Sequence, residues 1–285
     1  MLYYGLISLC AVMFSTQFFF TQMFQKSYGS DVRAALIQSA GSALVGVFTF
    51  AVISGFSFGY TPFSFVMAIL SALTNQISAL CTLKAFEKSS FSLYSTFTML
   101  GGMTLPFVFG ILFFSEALTL GKSICFIFIT AAIFITVDKK EKKSKGLFYC
   151  ICSFVLNGLI GVFTKVYQAL PFEKVSASEY SMLCALTAFI LSCILLLFVK
   201  GEKKKLNFKA VFAIFGSSLL NRVANLWLLI SLAVLPASAQ YPFITGGTMI
   251  ASTIIAYITH QKPKKREIVS VVLSFAGILA LILVP

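Results

Sequence analysis

Long apolar runs dominate the sequence, and polar residues are concentrated in the short segments between them. Each run holds about 18 to 25 residues, the length that an α-helix needs to cross a hydrocarbon core about 30 Å thick. The runs are continuously apolar rather than alternating, so they predict helices and not the strands of a transmembrane barrel. Ten spans are predicted, at residues 2–24, 32–53, 62–85, 91–114, 120–137, 146–170, 177–199, 210–235, 239–259 and 268–284.

The composition indicates a chain that is embedded in a membrane almost throughout. Of the 285 residues, 59% are hydrophobic and 11% are charged, whereas globular proteins average about 25% charged residues. The ten spans leave no room for a separate soluble domain. The first span has no basic leader and no small-residue cleavage site, so we expect a retained helix rather than a signal peptide. The predicted fold class is therefore an all-α integral membrane protein with ten transmembrane helices.

The net charge of +13 is interpreted as a topology signal and not as a sign of nucleic-acid binding. Most lysines and arginines lie in the odd-numbered loops between spans or beside them, including the segments 138–145 and 200–205. By the positive-inside rule these loops are cytoplasmic and both termini lie outside. The alternative for the two lysine-rich segments is attraction to anionic lipids. We expect a multi-pass protein of a bacterial plasma membrane, with the lipid bilayer and a small molecule as its partners.

The chain contains an internal repeat. The segment SALTNQISAL at residues 71–80 recurs as SSLLNRVANL at residues 217–226, which places Arg222 where the first copy has Gln76. A glycine pair in the fourth span, 101–102, likewise recurs in the ninth span as 246–247. Each copy holds five spans, an odd number, so the two halves must insert with opposite orientations. The sequence thus predicts two inverted five-helix repeats, residues 1–138 and 145–285, as in many secondary transporters with a midplane substrate site.

Arg222 is the strongest candidate for a functional residue. It lies near the middle of an apolar segment, where insertion scales make an arginine unfavourable by roughly 2.5 to 3.5 kcal/mol. All nine acidic residues lie in loops or at span ends, so none is at a comparable depth to neutralise it. A guanidinium presents a fixed fork of donors that suits a carboxylate or a phosphate. These features predict a site for an anionic or zwitterionic small molecule.

Other polar side chains accompany the arginine. Because positions three or four apart share a helix face, the eighth span and the third span each carry a polar stripe. The predicted substrate-binding residues are Arg222, Asn221, Asn225, Asn75, Gln76 and Ser78. For the four amide side chains a structural role is the alternative, since such groups commonly form hydrogen bonds between membrane helices.

Taken together, these features resemble a known family. Ten spans as two inverted repeats, short loops and a glutamate just after the fourth span, Glu116 in FFSEALTLG at residues 113–121, are similar to the EamA-type transporters of the drug/metabolite transporter superfamily. The resemblance implies that the first, third, fourth, sixth, eighth and ninth helices line a central cavity. It would place Asn75, Gln76, Asn221, Arg222 and the two glycine pairs around the pathway. The second copy has Gln261 in place of Glu116, so a role of that acid would not be symmetric.

The leading hypothesis is a secondary transporter, a permease, that moves a small polar, anionic or zwitterionic metabolite such as an amino acid by alternating access. One alternative is an exporter of cationic compounds or multiple drugs, which normally needs a carboxylate within the membrane. Another is a membrane protein of the same fold that transports nothing. No cofactor or metal is predicted, because the seven cysteines lack the partners of a metal site. Enzymatic activity is not expected, since the spans supply no pairing of a nucleophile with a base.

Overall fold

Ten α-helices make up the computed structural model of the chain. The structure describes residues 2–114, 119–136, 145–199, 205–232, 237–260 and 265–284, and within these ranges it contains no strand. Both Glu116 and Gln261 lie outside the described residues. The helices are α1 (Leu2–Tyr28), α2 (Val32–Ile53), α3 (Pro62–Lys88), α4 (Phe91–Phe113), α5 (Leu120–Thr136), α6 (Lys145–Ala169), α7 (Ala177–Phe198), α8 (Phe208–Leu232), α9 (Ala237–Ile258) and α10 (Lys265–Leu283).

The helices confirm the prediction of an all-helical integral membrane protein, and each begins and ends within about one turn of a predicted span. By length and composition, seven of them contain a stretch long and apolar enough to cross a membrane: Gly5–Tyr28, Val32–Ile53, Pro62–Lys88, Leu93–Phe113, Gly146–Tyr167, Ala177–Phe198 and Phe208–Leu228. Two shorter apolar stretches, Ser123–Ala132 and Phe243–Ile258, lie in α5 and α9.

Several helices begin where a side chain caps their free backbone N–H groups. The Thr61 hydroxyl accepts from the Ser64 N–H just before α3, and the Ser90 hydroxyl accepts from the Leu93 N–H at the start of α4. Ser176 and Glu179 form a reciprocal capping box at the start of α7. Such caps satisfy donors that would otherwise have no partner in the first turn, so they fix where a helix starts.

The helices pack as a bundle in which most contacts join the first five helices to the last five. Helix α1 packs on α8 and α9, α6 packs on α3 and α4, and α3 packs on α7. Further contacts join α2 to α7 and α8, α5 to α10, and α9 to α4 and α10. At the centre of the contact between α2 and α7, small side chains meet, with Ala43 and Ala188 buried against Ala72 of α3.

Glycines bring α4 and α6 into close contact. A Cβ atom added to Gly101 would lie 2.0 Å from the Phe154 carbonyl oxygen, and one added to Gly158 would lie 2.7 Å from the Gly101 carbonyl oxygen. Beside this crossing, the Asn157 side chain donates to the Thr98 carbonyl at 2.7 Å. Small residues commonly allow membrane helices to approach in this way. Gly101 therefore serves helix packing.

The connections alternate between two ends of the bundle. We call the end with the odd-numbered connections the basic end, because it carries Lys26, Arg33, Lys84, Lys88, Lys205, Lys209, Lys265 and Arg266. There, Ser30 donates to Glu87, and Arg33 donates to the Val199 carbonyl at 3.3 Å. At the opposite end the Tyr167 ring stacks on Tyr180, with 3.8 Å between the ring centroids, and on Phe63 at 5.6 Å.

Candidate functional site

Arg222 lies near the middle of α8, and its side chain extends onto α2. The guanidinium carbon lies 5.6 Å from the centroid of the Phe50 ring, within the range of a cation–π contact. The side chain is half-buried. A partly desolvated cation of this kind is stabilised by the negative face of an aromatic ring. Arg222 is therefore held by an apolar helix of the first half of the chain.

Gly46 provides the room for the guanidinium. A Cβ atom added to Gly46 would lie 2.9 Å from both the Nε and the Nη2 atoms of Arg222. Real Cβ atoms are almost never found so close to another heavy atom. The planar guanidinium thus lies directly against the bare backbone of α2, one turn before Phe50. We call Gly46 and Phe50 together the Arg222 seat.

The guanidinium has no counter-charge in the part of the chain that the structure describes. Within the described ranges, Arg222 makes no hydrogen bond or ion pair; the titratable group that interacts with it electrostatically is the Cys184 thiol of α7. A thiol carries no charge in its protonated form. The described acids all lie at helix ends or in loops; they are Asp31, Glu87, Glu173, Glu179 and Glu267. A partly buried charge without a partner carries a large desolvation cost, which an anionic ligand would relieve.

Cys184 is the group of α7 beside the arginine. Its thiol lies near the Tyr180 hydroxyl on its own helix and near the Ser71 hydroxyl on α3. One turn after Ser71 on α3, the Asn75 side-chain amide donates to the Ser71 carbonyl at 2.8 Å. Helix α7 therefore contributes an uncharged thiol beside the Arg222 guanidinium, and α3 adjoins that thiol.

Asn75 is exposed on α3. At 100° per residue it lies on the side of the helix opposite the exposed apolar side chains. Those apolar side chains form the outer face of α3; they are Val66, Leu70, Leu73 and Ile77. Asn75 is therefore an exposed polar side chain on the inner side of α3, and its part in substrate binding stays a prediction.

The other two predicted asparagines, Asn221 and Asn225, lie together on α8 where it packs against α1. The Asn221 side chain donates to the Gln17 side-chain oxygen at 2.8 Å, and the exposed Asn225 side chain donates to the Asn221 carbonyl at 2.7 Å. Gln17 is not among the six predicted residues. These amides form a ladder that joins α8 to α1, and its outermost member, Asn225, is open to solvent.

Gln76 and Ser78 occupy different surroundings. Gln76 is buried and donates to α7, at 3.1 Å to the Ala188 carbonyl and at 2.6 Å to the Ser192 hydroxyl. These hydrogen bonds join two helices, which is the structural role given above as the alternative to substrate binding for the amide side chains. Ser78 is half-buried on α3. The predicted residues thus have different surroundings. Arg222 of α8 packs against α2, Asn75 is exposed on α3, and Asn221 and Asn225 form the ladder to α1. Gln76 bonds to α7.

An apolar groove of about 290 Å³ lies elsewhere, between α1, α9 and α10. Ser8 is the polar side chain in its lining, and the other lining residues are Ala11, Val12, Phe243, Gly247, Ile250, Ala251, Ile254 and Phe275. An apolar lining at membrane depth suits hydrocarbon rather than a polar solute. We therefore do not assign the polar site to this groove.

The comparisons with known proteins agree with this architecture. Residues 144–283 match the model of the EamA-like transporter family. The match covers just under half of the chain. The family is part of the drug/metabolite transporter superfamily, so the resemblance seen in the sequence is confirmed for residues 144–283, and the chain is a multi-pass membrane protein.

A solved structure is similar in fold over nearly the whole chain. The crystal structure of another protein matches 98% of this chain and 96% of its own, with a TM-score of 0.63 and 11% sequence identity. At this identity the likeness concerns the fold alone. No curated protein matches the chain.

Proposed function

We propose that this EamA-like protein is a secondary transporter of a small polar metabolite, anionic or zwitterionic, such as an amino acid. Two inverted five-helix halves, residues 1–138 and 145–285, alternate access to a site that contains Arg222. The observation that carries the proposal is the half-buried Arg222 guanidinium, which has no carboxylate partner among the described residues. Such a group is costly to keep in a membrane unless it binds a ligand.

The pattern of helix contacts supports two related halves. When every helix is replaced by the one five places along the chain, the contact of α1 with α8 becomes that of α6 with α3. The contact of α4 with α6 becomes that of α9 with α1, and the contact of α3 with α7 becomes that of α8 with α2. Contacts of α2 with α7 and of α5 with α10 map onto themselves. This exchange is expected for an inverted repeat with a twofold axis in the membrane plane.

The surroundings of Arg222 suit alternating access because both halves contribute to them. Arg222 and Cys184 belong to the second half, whereas the Arg222 seat and Asn75 belong to the first. A substrate that neutralises the guanidinium and contacts α3 would bridge the two halves. Rocking of one half against the other would then expose the substrate first to one side of the membrane and then to the other.

Loss of the guanidinium tests the proposal directly. We expect amino acids or organic acids to stabilise the purified wild-type protein against heat, and Arg222→Gln to remove this stabilisation and the matching uptake into proteoliposomes. The control is Arg266→Gln, which removes the same charge from an exposed position at the basic end. Ligand binding to the native state raises its apparent stability, so a melting-temperature screen reports binding.

Two results would contradict this assignment. Unchanged stabilisation and uptake in Arg222→Gln would remove Arg222 from the site. Stabilisation by quaternary ammonium compounds alone, equal in wild type and Arg222→Gln, would favour an exporter of cations instead. A correctly folded Arg222→Gln protein, judged by gel filtration and circular dichroism, is the condition for both comparisons.

A further inference from the structure

We infer that the Arg222 site is built for a single negative charge, so that it selects a monoanion over a zwitterion or a dianion of similar size. The inference rests on the proposed function and narrows its substrate class. It follows from the charge of the Arg222 guanidinium and from the neutral groups beside it.

The charge of the empty pocket is +1, counted over the described residues. Arg222 contributes the positive charge, and the described groups beside it are the Cys184 thiol, the Phe50 ring and the Gly46 backbone. The Tyr180 and Ser71 hydroxyls lie near that thiol. Lys165 of α6 donates to the Pro106 carbonyl at 3.4 Å and is not among the groups that interact electrostatically with Arg222. The pocket thus has one fixed charge, and its other groups are neutral donors and acceptors.

A monoanion brings the net charge of the occupied pocket to zero. Its carboxylate can take two parallel hydrogen bonds from the guanidinium fork, which is the strongest geometry for this pair. The remainder of the ligand meets hydroxyl and amide groups, which can satisfy polar atoms without adding charge. A neutral pair also has the lowest desolvation cost when the site closes and water leaves.

A zwitterion leaves the occupied pocket at +1. Its carboxylate would pair with Arg222, but its ammonium group would then lack a carboxylate in a partly desolvated pocket. The described acid on α7, Glu179, lies in the first turn of that helix and is already bonded to Ser176 and Ser57. A buried ammonium without a counter-charge is costly, so amino acids should bind more weakly than matched hydroxy acids.

A dianion has the opposite imbalance. One of its charges would pair with Arg222, and the second would face the Phe50 ring and neutral groups, leaving the occupied pocket at −1. The face of an aromatic ring is itself negative, so it repels a second carboxylate. The Arg222 seat thus discriminates against dicarboxylates by its shape and by its electrostatics.

The experiment compares solutes of similar size that differ in charge. One set is lactate, alanine and malonate; a second, aromatic set is phenylacetate, phenylalanine and phenylmalonate. Binding to the full-length protein in detergent is measured by titration at neutral pH and constant ionic strength. In the set that binds, we expect the monoanion to bind at least about tenfold more tightly than the other two members, a difference of about 1.4 kcal/mol.

Variants separate the charge from its geometry. Arg222→Lys should keep the preference for the monoanion with weaker binding, because a lysine supplies the charge without the planar fork. Arg222→Gln should lose the preference, and Arg266→Gln should retain it. Loss of the preference in Arg266→Gln would assign it to the general surface potential and overturn the inference.

The outcomes distinguish the inference from the proposed function. Tighter binding of alanine or malonate than of lactate, or of their aromatic counterparts than of phenylacetate, would overturn the single-charge inference while leaving an Arg222-dependent transporter. Absence of binding by every solute of both sets would contradict the proposed function itself.

Discussion

Arg222 keeps its position through contacts along its side chain rather than through a counter-ion. The Phe50 ring lies 5.6 Å from the guanidinium carbon, and Gly46 leaves the backbone of α2 bare beneath it. The arrangement holds the guanidinium, and none of the described residues accepts a hydrogen bond from it. A site of this kind can bind an anion without first breaking an internal ion pair. Breaking such a pair would lower the affinity for the anion.

A methyl group at Gly46 should disturb this arrangement. In Gly46→Ala the new Cβ would lie 2.9 Å from Nε and Nη2 of Arg222, so the guanidinium must shift. We expect substrate affinity to fall about tenfold, or about 1.4 kcal/mol, as measured by titration of the purified variant. Helix formation should not suffer, because alanine favours a helix by about 1 kcal/mol over glycine.

Gly5→Ala is the matched control. An added Cβ at Gly5 of α1 has no atom within 4 Å, so the same substitution there should leave affinity unchanged. Equal effects at both positions, or no effect at Gly46, would show that the close contact of Arg222 with α2 is not needed for binding.

At the scale of single helices, close crossings decide which pairs can move against each other. Helices α4 and α6 meet backbone to backbone at Gly101 and Gly158, whereas α1 and α8 meet through larger side chains such as Phe14 and Leu228. A backbone contact has no rotamer that can yield, so α4 and α6 should stay in contact at this crossing. This pair joins a helix of the first half to a helix of the second, so the proposed rocking of the halves would pivot about the crossing rather than separate it.

A stability measurement checks the crossing. In Gly101→Ala the Cβ atom would lie 2.0 Å from a backbone carbonyl, whereas in Gly247→Ala it would meet only the Ala11 methyl at 2.9 Å. We expect Gly101→Ala to reduce the free energy of unfolding by about 1 to 3 kcal/mol or more. Gly247→Ala should cost less, because the Ala11 methyl can give way by a small shift.

Unfolding of both variants in mixed micelles with increasing denaturing detergent gives their free energies of unfolding under the same conditions. A smaller loss for Gly101→Ala than for Gly247→Ala would mean that α4 and α6 can separate without penalty.

For the whole molecule, the proposed mechanism makes the charge of the Arg222 site matter for exchange and for net transport. In the proposed alternating access, the site would pass through a closed state from which water is excluded. The empty site would carry the unpaired Arg222 charge through that state, at a cost of roughly 2.5 to 3.5 kcal/mol. The site occupied by a monoanion is neutral and avoids this cost. We therefore expect exchange of substrates to be faster than net transport.

Efflux from proteoliposomes measures this difference. Vesicles are loaded with the labelled monoanion that binds best in the solute series and diluted into buffer with or without the same unlabelled solute outside. We expect efflux to be at least about tenfold faster with solute outside, since each 1.4 kcal/mol corresponds to a factor of ten. Valinomycin with equal potassium concentrations on both sides holds the membrane potential at zero, so the potential does not limit efflux. Equal rates would show that the empty site returns freely.

Much of this protein follows from its sequence alone. The ten helices and their bounds were predictable because the hydrocarbon core fixes the length and polarity of a span. Arg222 could be singled out because a charge at that depth has no ordinary structural explanation. Asn75 was singled out by the polar stripe of the third span, and it is exposed in the structure. The part of both residues in binding stays a prediction.

Only the tertiary structure decided what surrounds these residues. Gly46, Phe50 and Cys184 carry no polar pattern that would distinguish them within apolar spans, and they matter because α2 and α7 cross beside α8. Gln76 has the same side-chain chemistry as a binding residue, yet its amide bonds to α7. The physical reason is that depth and helix periodicity are local properties, whereas the partner of a side chain depends on which helices pack together.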